Sequence, residues 1–476
     1  MMIWKTAWKN VWRNKVRSLV VLSSVTIGIF AGVFSVAMMN GMMAQRVDAA
    51  LNEELSHIQI TNKEFRINND PQLIINNSQE IISETSSVKE ITGVVERTLI
   101  TGMANTATKS TGVQIAGIDP EKEKEIFTLH EKIMPGTGDY FEQQSRQNLA
   151  LIGEDLAKDL NIIRYLIDTA ALTRLIDAGV PAEIIDKLTP LAGLRFNNEK
   201  KFLKEMKALF TVKEAKKYGP VIRKEAWSFR EGTRFTLTFL DKDNNQVGAV
   251  FRLSGLYDVK NSMFEKSMVF VKNSDLKKLT GLDENASHQI IVKLSDVEQT
   301  DNVTEILANK FPDLDVQSWK KLQPDLAMMT DMVQQFYAIF MTIILAALAF
   351  GIVNTMLMVV LERTKELGML TAIGMNKRRV FSLIMLESVF LSVVGGIAGM
   401  IVGYITILLT SKNGINLSQY AEGFEAYGYS AHFFPQIDVK FFIIITIMII
   451  VTGVISSIYP ALKALKLNPV EAIRTE

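Results

Sequence analysis

Four stretches of this chain carry no charge for long enough to cross a membrane, and nothing else in it constrains the fold as much. No Asp, Glu, Lys or Arg occurs between Arg17 and Arg46, from Met332 to Leu361, from Ser388 to Ser411 or from Phe441 to Leu462. At 1.5 Å of rise per residue, roughly 20 helical residues cross the roughly 30 Å of a hydrocarbon core. One such run can be a buried helix of a soluble protein. Four of them, three in the last third of the chain, predict an α-helical four-span membrane domain. Lys5, Lys9, Arg13, Lys15 and Arg17 precede the first run as they would a secretory leader. That run is nearly twice the roughly 7–15 apolar residues of a leader, so it reads as an uncleaved anchor.

Basic flanks set the expected orientation. Residues 1–17 hold those five cations and no acid, and residues 362–379 hold Arg363, Lys365, Lys377, Arg378 and Arg379. The tail holds Lys463, Lys466 and Arg474, whereas the connection 412–440 holds only Lys412 and Lys440. Both termini are therefore expected in the cytoplasm of a bacterial cell, with the protein multi-pass in the inner membrane. The division that follows is an elbow at 1–17, spans at 18–45, 331–361, 380–411 and 441–462, a cytoplasmic connection at 362–379, a tail at 463–476, and outside segments at 46–330 and 412–440. In the elbow, Trp4, Trp8 and Trp12 recur every four residues beside Lys5, Lys9 and Arg13. An indole face next to a cationic face is the pattern of a helix lying among membrane lipids.

The large outside segment reads as α+β. Strand-like runs are His57–Thr61, Gly93–Ile100, Thr111–Gly117, Thr233–Leu240, Val247–Leu256, Ser267–Val271 and Gln289–Leu294, several with period-2 alternation. Asn68–Asn77 is a loop by composition. Asp241–Asn245 opens like a calcium loop, but Gln246 replaces the turn glycine and Arg252 the bidentate acid, so a hairpin turn is expected. From about 162 to 230 the pattern becomes helical, with Leu166, Ala170, Leu172, Leu175 and Ile176, then Phe202, Leu203, Met206, Leu209 and Phe210, at helical spacing. Pro181 and Pro190 punctuate these helices. Their apolar faces can close on one another or receive a carrier or sister subunit, and a partner contact is the expectation.

Several function classes lose support here. A net charge of +1 gives no bulk attraction for nucleic acid. Without cysteine there is no disulfide, thiolate zinc site or thiol nucleophile, and His57, His130, His288 and His432 show no metal-ligand spacing. No G-x-x-x-x-G-K-[ST] is present to cradle phosphates, and no catalytic constellation stands out. The chain does not read as an enzyme.

Inside the membrane, Gly28/Gly32 and Gly395/Gly399/Gly403 have the small-xxx-small spacing that lets helix backbones approach closely. Glu387 lies about 10 Å into the third span counted from Val380. A carboxylate facing lipid there costs a few kcal/mol, so it must face protein, hold a proton or reach the interface.

The 18-residue connection from Glu362 to Arg379 carries the strongest signal. Leu367, Leu370 and Ile373 are spaced for a short amphipathic helix with nowhere apolar to go, which calls for a partner. Asn354-Thr-Met-Leu-Met, Glu362-Arg-Thr-Lys-Glu-Leu-Gly, Ala372-Ile-Gly374, Glu387, Gly395-Gly396, Tyr459-Pro-Ala and Asn468-Pro-Val-Glu-Ala-Ile-Arg474 together resemble the FtsX-like permeases of the macrolide-exporter (MacB) type of ABC transporter. Arg13-Asn14-Lys15 and Arg17-Ser18 fit as well. Met39-Asn40-Gly41 and Ser56-His57-Ile58-Gln59-Ile60 look like the lipoprotein-releasing (LolC/LolE) branch. The insertion at 162–230 departs from both branches.

The resemblance implies a MacB-like periplasmic core domain and a mechanically coupled permease subunit. Its partners are a cytoplasmic ABC ATPase dimer, which holds the ATP and magnesium, and a second permease copy or paralogue. No cofactor is expected in this chain. A periplasmic carrier or adaptor is a further expected partner. Coupling falls to Arg363, Glu366, Leu367, Gly368, Leu370, Ala372 and Gly374. Packing falls to Gly28, Gly32, Asn354, Glu387, Gly395, Gly399 and Gly403, and the elbow to Trp4, Trp8, Trp12, Arg13 and Arg17. Lipoprotein release toward an outer membrane is the leading function. The alternatives are export of small molecules or peptides through a tripartite pump and an FtsX-like scaffold controlling a cell-wall hydrolase.

Overall fold

A computed structural model describes residues 2–141, 147–196, 199–228 and 232–466. The motif at 468–474 and Arg474 lie outside them. The chain forms two units: residues 1–45, 328–421 and 430–476, and residues 46–327 with 422–429.

The first unit holds an elbow helix, Met2–Val11, and four apolar helices. The first span, Lys15–Ala49, continues into a π-turn at Ala50–Glu54. The second is Pro324–Glu362, the third Lys377–Asn413 and the fourth Val439–Leu465. All four are long and apolar enough to cross a membrane. Each outruns its charge-free core, because helix hydrogen bonding continues past the last apolar residue wherever no breaker intervenes.

Glycine decides which helices touch. A Cβ on Gly395 or Gly403 would press on Val25 or Val33 of the first span. One on Gly399 would stand 2.6 Å from the Thr26 carbonyl oxygen. Three glycines one turn apart thus seat the third span on Val25, Ile29 and Val33, and Thr26 Oγ1 donates to the Gly395 carbonyl at 3.1 Å. Gly28 and Gly32 face Leu348 and Met341 of the second span. The Met39-Asn40-Gly41 motif also packs: Tyr337 donates to Asn40 Oδ1 at 2.6 Å, and Gly41 lies against the Phe434–Pro435 backbone. Asn354 does not pack within the bundle of this chain. Its side chain is exposed and makes no hydrogen bond among the described residues.

The second unit is built on one mixed sheet. Its strands are β1 (Ile58–Asn62), β2 (Ile91–Asn105), β3 (Ser110–Ile118), β4 (Leu149–Gly153), β8 (Arg234–Leu240), β9 (Gln246–Tyr257), β10 (Met268–Lys272), β11 (Gln289–Leu294) and β12 (Leu314–Ser318), with β5 (Arg164–Leu166), β6 (Arg195–Phe196) and β7 (Trp227–Ser228) in a separate small sheet. The order is β12-β1-β11-β2-β3-β10-β4-β9-β8, and β2 also pairs β8 from Gly102 to Asn105. Six strands thereby close into a ring, which removes the edges of that half. Strand β4 was not expected: Leu149–Gly153 is buried on both faces, so it lacks the alternation that marks a half-buried strand. The Asp241 turn is a hairpin, with Oδ1 accepting from the backbone of Asp243 and Asn245 at 2.9 and 2.8 Å.

The insertion has four helices, Thr169–Asp177, Ala182–Leu188, Glu199–Leu209 and Val212–Glu225, together with the β6-β5-β7 sheet. Leu166 therefore sits on a strand, not on the expected helix. The apolar faces are largely closed, with Ile176 left 60 % exposed. Leu175, Leu188, Phe202, Met206 and Ile222 are buried in one cluster with Ile152, Leu237 and Phe251 of the ring. The expected partner contact through these faces is corrected: they are core.

Candidate functional site

The connection between the second and third spans is a short helix, Thr364–Ala372. Gly374, at φ +98°, makes the turn that ends it, a conformation other residues rarely adopt. Asn376 then caps the third span by accepting from Arg378 N at 3.0 Å.

Its apolar stripe rotates from inside to outside. Leu367 is buried in the same apolar cluster as Val360, Val380 and Ile384, and Gly368 is buried beside it. Leu370 is half-buried, Ala372 is exposed, and Ile373 is 80 % exposed. Met369, one turn before Ile373, is 53 % exposed. Leu367 therefore has an apolar place within its own chain, contrary to expectation. The edge left open is Met369 with Ile373.

An ion network fastens this helix from three sides. Glu366 pairs with Arg13 of the elbow and accepts from Arg363 Nε at 3.0 Å. Arg363 Nη1 reaches both oxygens of Glu387 on the third span at 3.1 Å, and Asn10 Nδ2 donates to the same carboxylate at 2.7 Å. Arg17 pairs with Glu362 at the end of the second span. The hydrogen bond from Arg13, joined by Arg363, holds the Glu366 carboxyl below the ordinary carboxylate value. Glu387 thus faces protein, the first of its expected alternatives. The network unites Arg13, Arg363, Glu366 and Glu387, which the sequence had placed in three separate roles, while Arg17 pairs separately with Glu362. Asn10 escaped notice, and Glu362 was read only as the start of the connecting motif, because each looks like an ordinary surface residue until its distant partner is known.

The elbow helix buries Ala7 and Val11. Trp4 and Trp8 set their rings edge-on to Phe390 of the third span, with centroids 5.8 and 5.6 Å away. Trp12 lies just past the helix end and meets Trp8 at 5.9 Å. All three indoles keep more than a third of their surface open. The elbow, connecting helix and third span are thus tied by side chains at several points. Force applied at the Met369–Ile373 edge would reach all three together.

The comparisons agree with this anatomy. Residues 338–469 match the model of the FtsX-like permease C-terminal domain, and residues 18–169 that of the MacB-like periplasmic core domain. The lipoprotein-releasing system transmembrane protein LolC of Xylella fastidiosa is 25 % identical over 236 residues, 48 % of this chain and 55 % of that protein. An uncharacterized ABC transporter permease of Methanocaldococcus jannaschii is 30 % identical over 237 residues, with the same shares. The macrolide export ATP-binding/permease protein MacB of Bdellovibrio bacteriovorus is 34 % identical over 128 residues, 26 % of this chain and 17 % of that protein. The matched stretch thus spans about half the length of the first two relatives and less of the third. The extracellular domain of the ABC-type transporter YknZ from Gram-positive bacteria superposes at a TM-score of 0.29 and 11 % identity over 55 % of this chain and 98 % of that one, a likeness that carries no argument. With residues 338–469 matching the FtsX-like permease C-terminal domain and residues 18–169 the MacB-like periplasmic core domain, each over less than half of its length, this chain resembles the ABC-transporter permeases of the FtsX/MacB type.

Proposed function

We propose that the chain carries ATP-driven motion from a separate cytoplasmic ATPase dimer across the membrane to its large domain. The observation that bears the most weight is the connecting helix, anchored by Leu367 and the Arg13–Glu366–Arg363–Glu387 network and open at Met369 and Ile373. An element that must accept force needs one fixed face and one free apolar face, and this helix has both. ATP and magnesium belong to the ATPase in this reading. The basic flanks support a cytoplasmic connection and cytoplasmic termini, the side on which that partner would dock.

Lipoprotein release toward an outer membrane is the substrate class we favour, supported by the LolC match over nearly half the chain. A second reading, export of small molecules or peptides, draws on higher identity over a shorter stretch: 34 % to MacB and 35 % to the pyoverdine exporter PvdT of Pseudomonas entomophila.

Ile373→Asp tests the coupling. Ile373 is mostly exposed, so the variant should insert and fold normally. A charge stranded in a docked apolar contact is strongly unfavourable, so co-purification with the ATPase should fall at least tenfold and transport should be lost. Leu367→Asp should behave differently, lowering the amount of folded protein because it places a charge in the core. Normal ATPase binding and transport by the Ile373 variant would remove this edge as the coupling element.

A further inference from the structure

We infer that a cavity between the elbow and the second span is a binding site for an anionic phospholipid. It has a volume of about 500 Å³. Four basic side chains, Arg13, Lys15, Arg17 and Arg363, line it with two carboxylates, Glu362 and Glu387, and Glu366 outside the lining pairs with Arg13 and Arg363, which leaves an excess of one positive charge. Lys15 is exposed and makes no ion pair among the described residues. Arg17 spends one nitrogen, Nη2, on Glu362, which leaves the remaining donors of its guanidinium for a ligand.

The same cavity turns apolar along the spans. Val21 lies one helical turn beyond Arg17, and Leu391 one turn beyond Glu387. Met356 lies six residues before Glu362, about 9 Å deeper at 1.5 Å per residue. Charges at the mouth and an apolar wall a turn or two further in match a phosphate headgroup with the start of its acyl chains. A free anion would leave the apolar wall uncovered, and a zwitterionic headgroup would leave the charge excess unmet. Basic recesses between membrane helices at the positively flanked end of the spans are suited to acidic lipid headgroups on charge grounds. The site does not depend on which substrate the permease serves.

Native mass spectrometry of the purified, delipidated full chain tests this. Phosphatidylglycerol or phosphatidylcholine with identical acyl chains is added, and the lipid retained per chain is counted. One phosphatidylglycerol should be retained several-fold more than phosphatidylcholine. Lys15→Gln should cut that retention several-fold, and Lys463→Gln, an exposed lysine outside the cavity, should not. Val16 lines the cavity and is 76 % exposed, so Val16→Trp fills space without changing charge or burying a misfit. It should cut retention as strongly as Lys15→Gln, while helix content stays unchanged in all three variants. Equal retention of both lipids would overturn the proposal. So would equal losses from Lys15→Gln and Lys463→Gln, which indicate diffuse charge attraction, or no effect of Val16→Trp. Displacement of the lipid by inorganic phosphate at equal concentration would also overturn it, by marking a free-anion site.

Discussion

His288 is held in one protonation state by its two neighbours. Its Nδ1 accepts from Leu99 N at 3.3 Å, so Nε2 carries the proton and donates it to the Pro71 carbonyl at 3.0 Å. A second proton would turn Nδ1 against a backbone N–H, in a site that is fully buried. Burial pushes the imidazole down to about 4. The folded chain therefore binds fewer protons than the unfolded chain between about pH 4 and 6.5, and stability gained through this residue rises with pH across that window. Each unit of displacement is worth about 1.4 kcal/mol. Glu265 slopes the other way, because burial raises its carboxyl to about 8. The His288 contribution is isolated by comparing wild type with His288→Asn. Denaturant unfolding followed by Trp319 fluorescence should show the variant's deficit shrinking as pH falls from 6.5 to 4. A deficit independent of pH would mean that the ring matters only for packing. Sequence revealed some of this scale. The cost of a carboxylate within a span already required Glu387 to find protein, but its partners, Arg363 and Asn10, lie 24 and 377 residues away. Nothing local identifies such partners.

Elements were legible where their periodicity is local. All seven strand-like runs became strands: β8 and β9 alternate as half-buried strands do, whereas β1, β10 and β11, buried at nearly every position, were legible as runs of β-branched and aromatic residues. Strands β4, β5, β6, β7 and β12 were missed: β4 is buried on both faces and shows no alternation, β5, β6 and β7 are only two or three residues long, and β12 alternates only over residues 314–317. The insertion shows the complementary limit. Helical spacing located its apolar faces but could not say what covers them. The Phe202 ring stacks on Tyr165 at 5.0 Å and 12° and is fully buried in the cluster shared with the ring strands. Phe202→Ala should therefore destabilise the large domain by about 3–5 kcal/mol, measured as a shift in its denaturant midpoint. An insertion that packs only on itself predicts a different result: its own amides would gain hydrogen exchange while Ile152, Leu237 and Phe251 stay protected. The connecting helix follows the same rule. Its stripe was visible from the spacing of Leu367, Leu370 and Ile373, but which end of the stripe is buried depends on Val360, Val380 and Ile384 in the adjoining spans.

At the scale of the whole molecule, the second span is incomplete on its own. It is the least buried of the four helices, and one face carries Gly351, Asn354 and Met358 at spacings of three and four residues. A Cβ at Gly351 would meet nothing within 4 Å, Asn354 is exposed, and Met358 is 57 % exposed. Asn354 lies eight residues before Glu362, about 12 Å into the hydrocarbon by helical rise. Lipid offers its amide neither donor nor acceptor, so an Asn at that depth is stable only against another polar group. The glycine one turn away leaves room for a second backbone to approach. Together they favour a second copy of this chain, or a paralogue, docked along this face. Asn354→Cys in the full chain, oxidised in membranes, should therefore give a cross-linked dimer. Ile447→Cys, on an exposed face of the fourth span, should not. Asn354→Leu should weaken association, because a helix–helix amide contact in a membrane contributes about 0.6–2 kcal/mol, roughly a three- to thirtyfold change in dimer dissociation. The mass of the cross-linked product separates two copies of this chain from a mixed pair. Cross-linking at position 447 with none at 354 would place the second subunit against the fourth span and leave the Asn354 amide without the partner assigned to it.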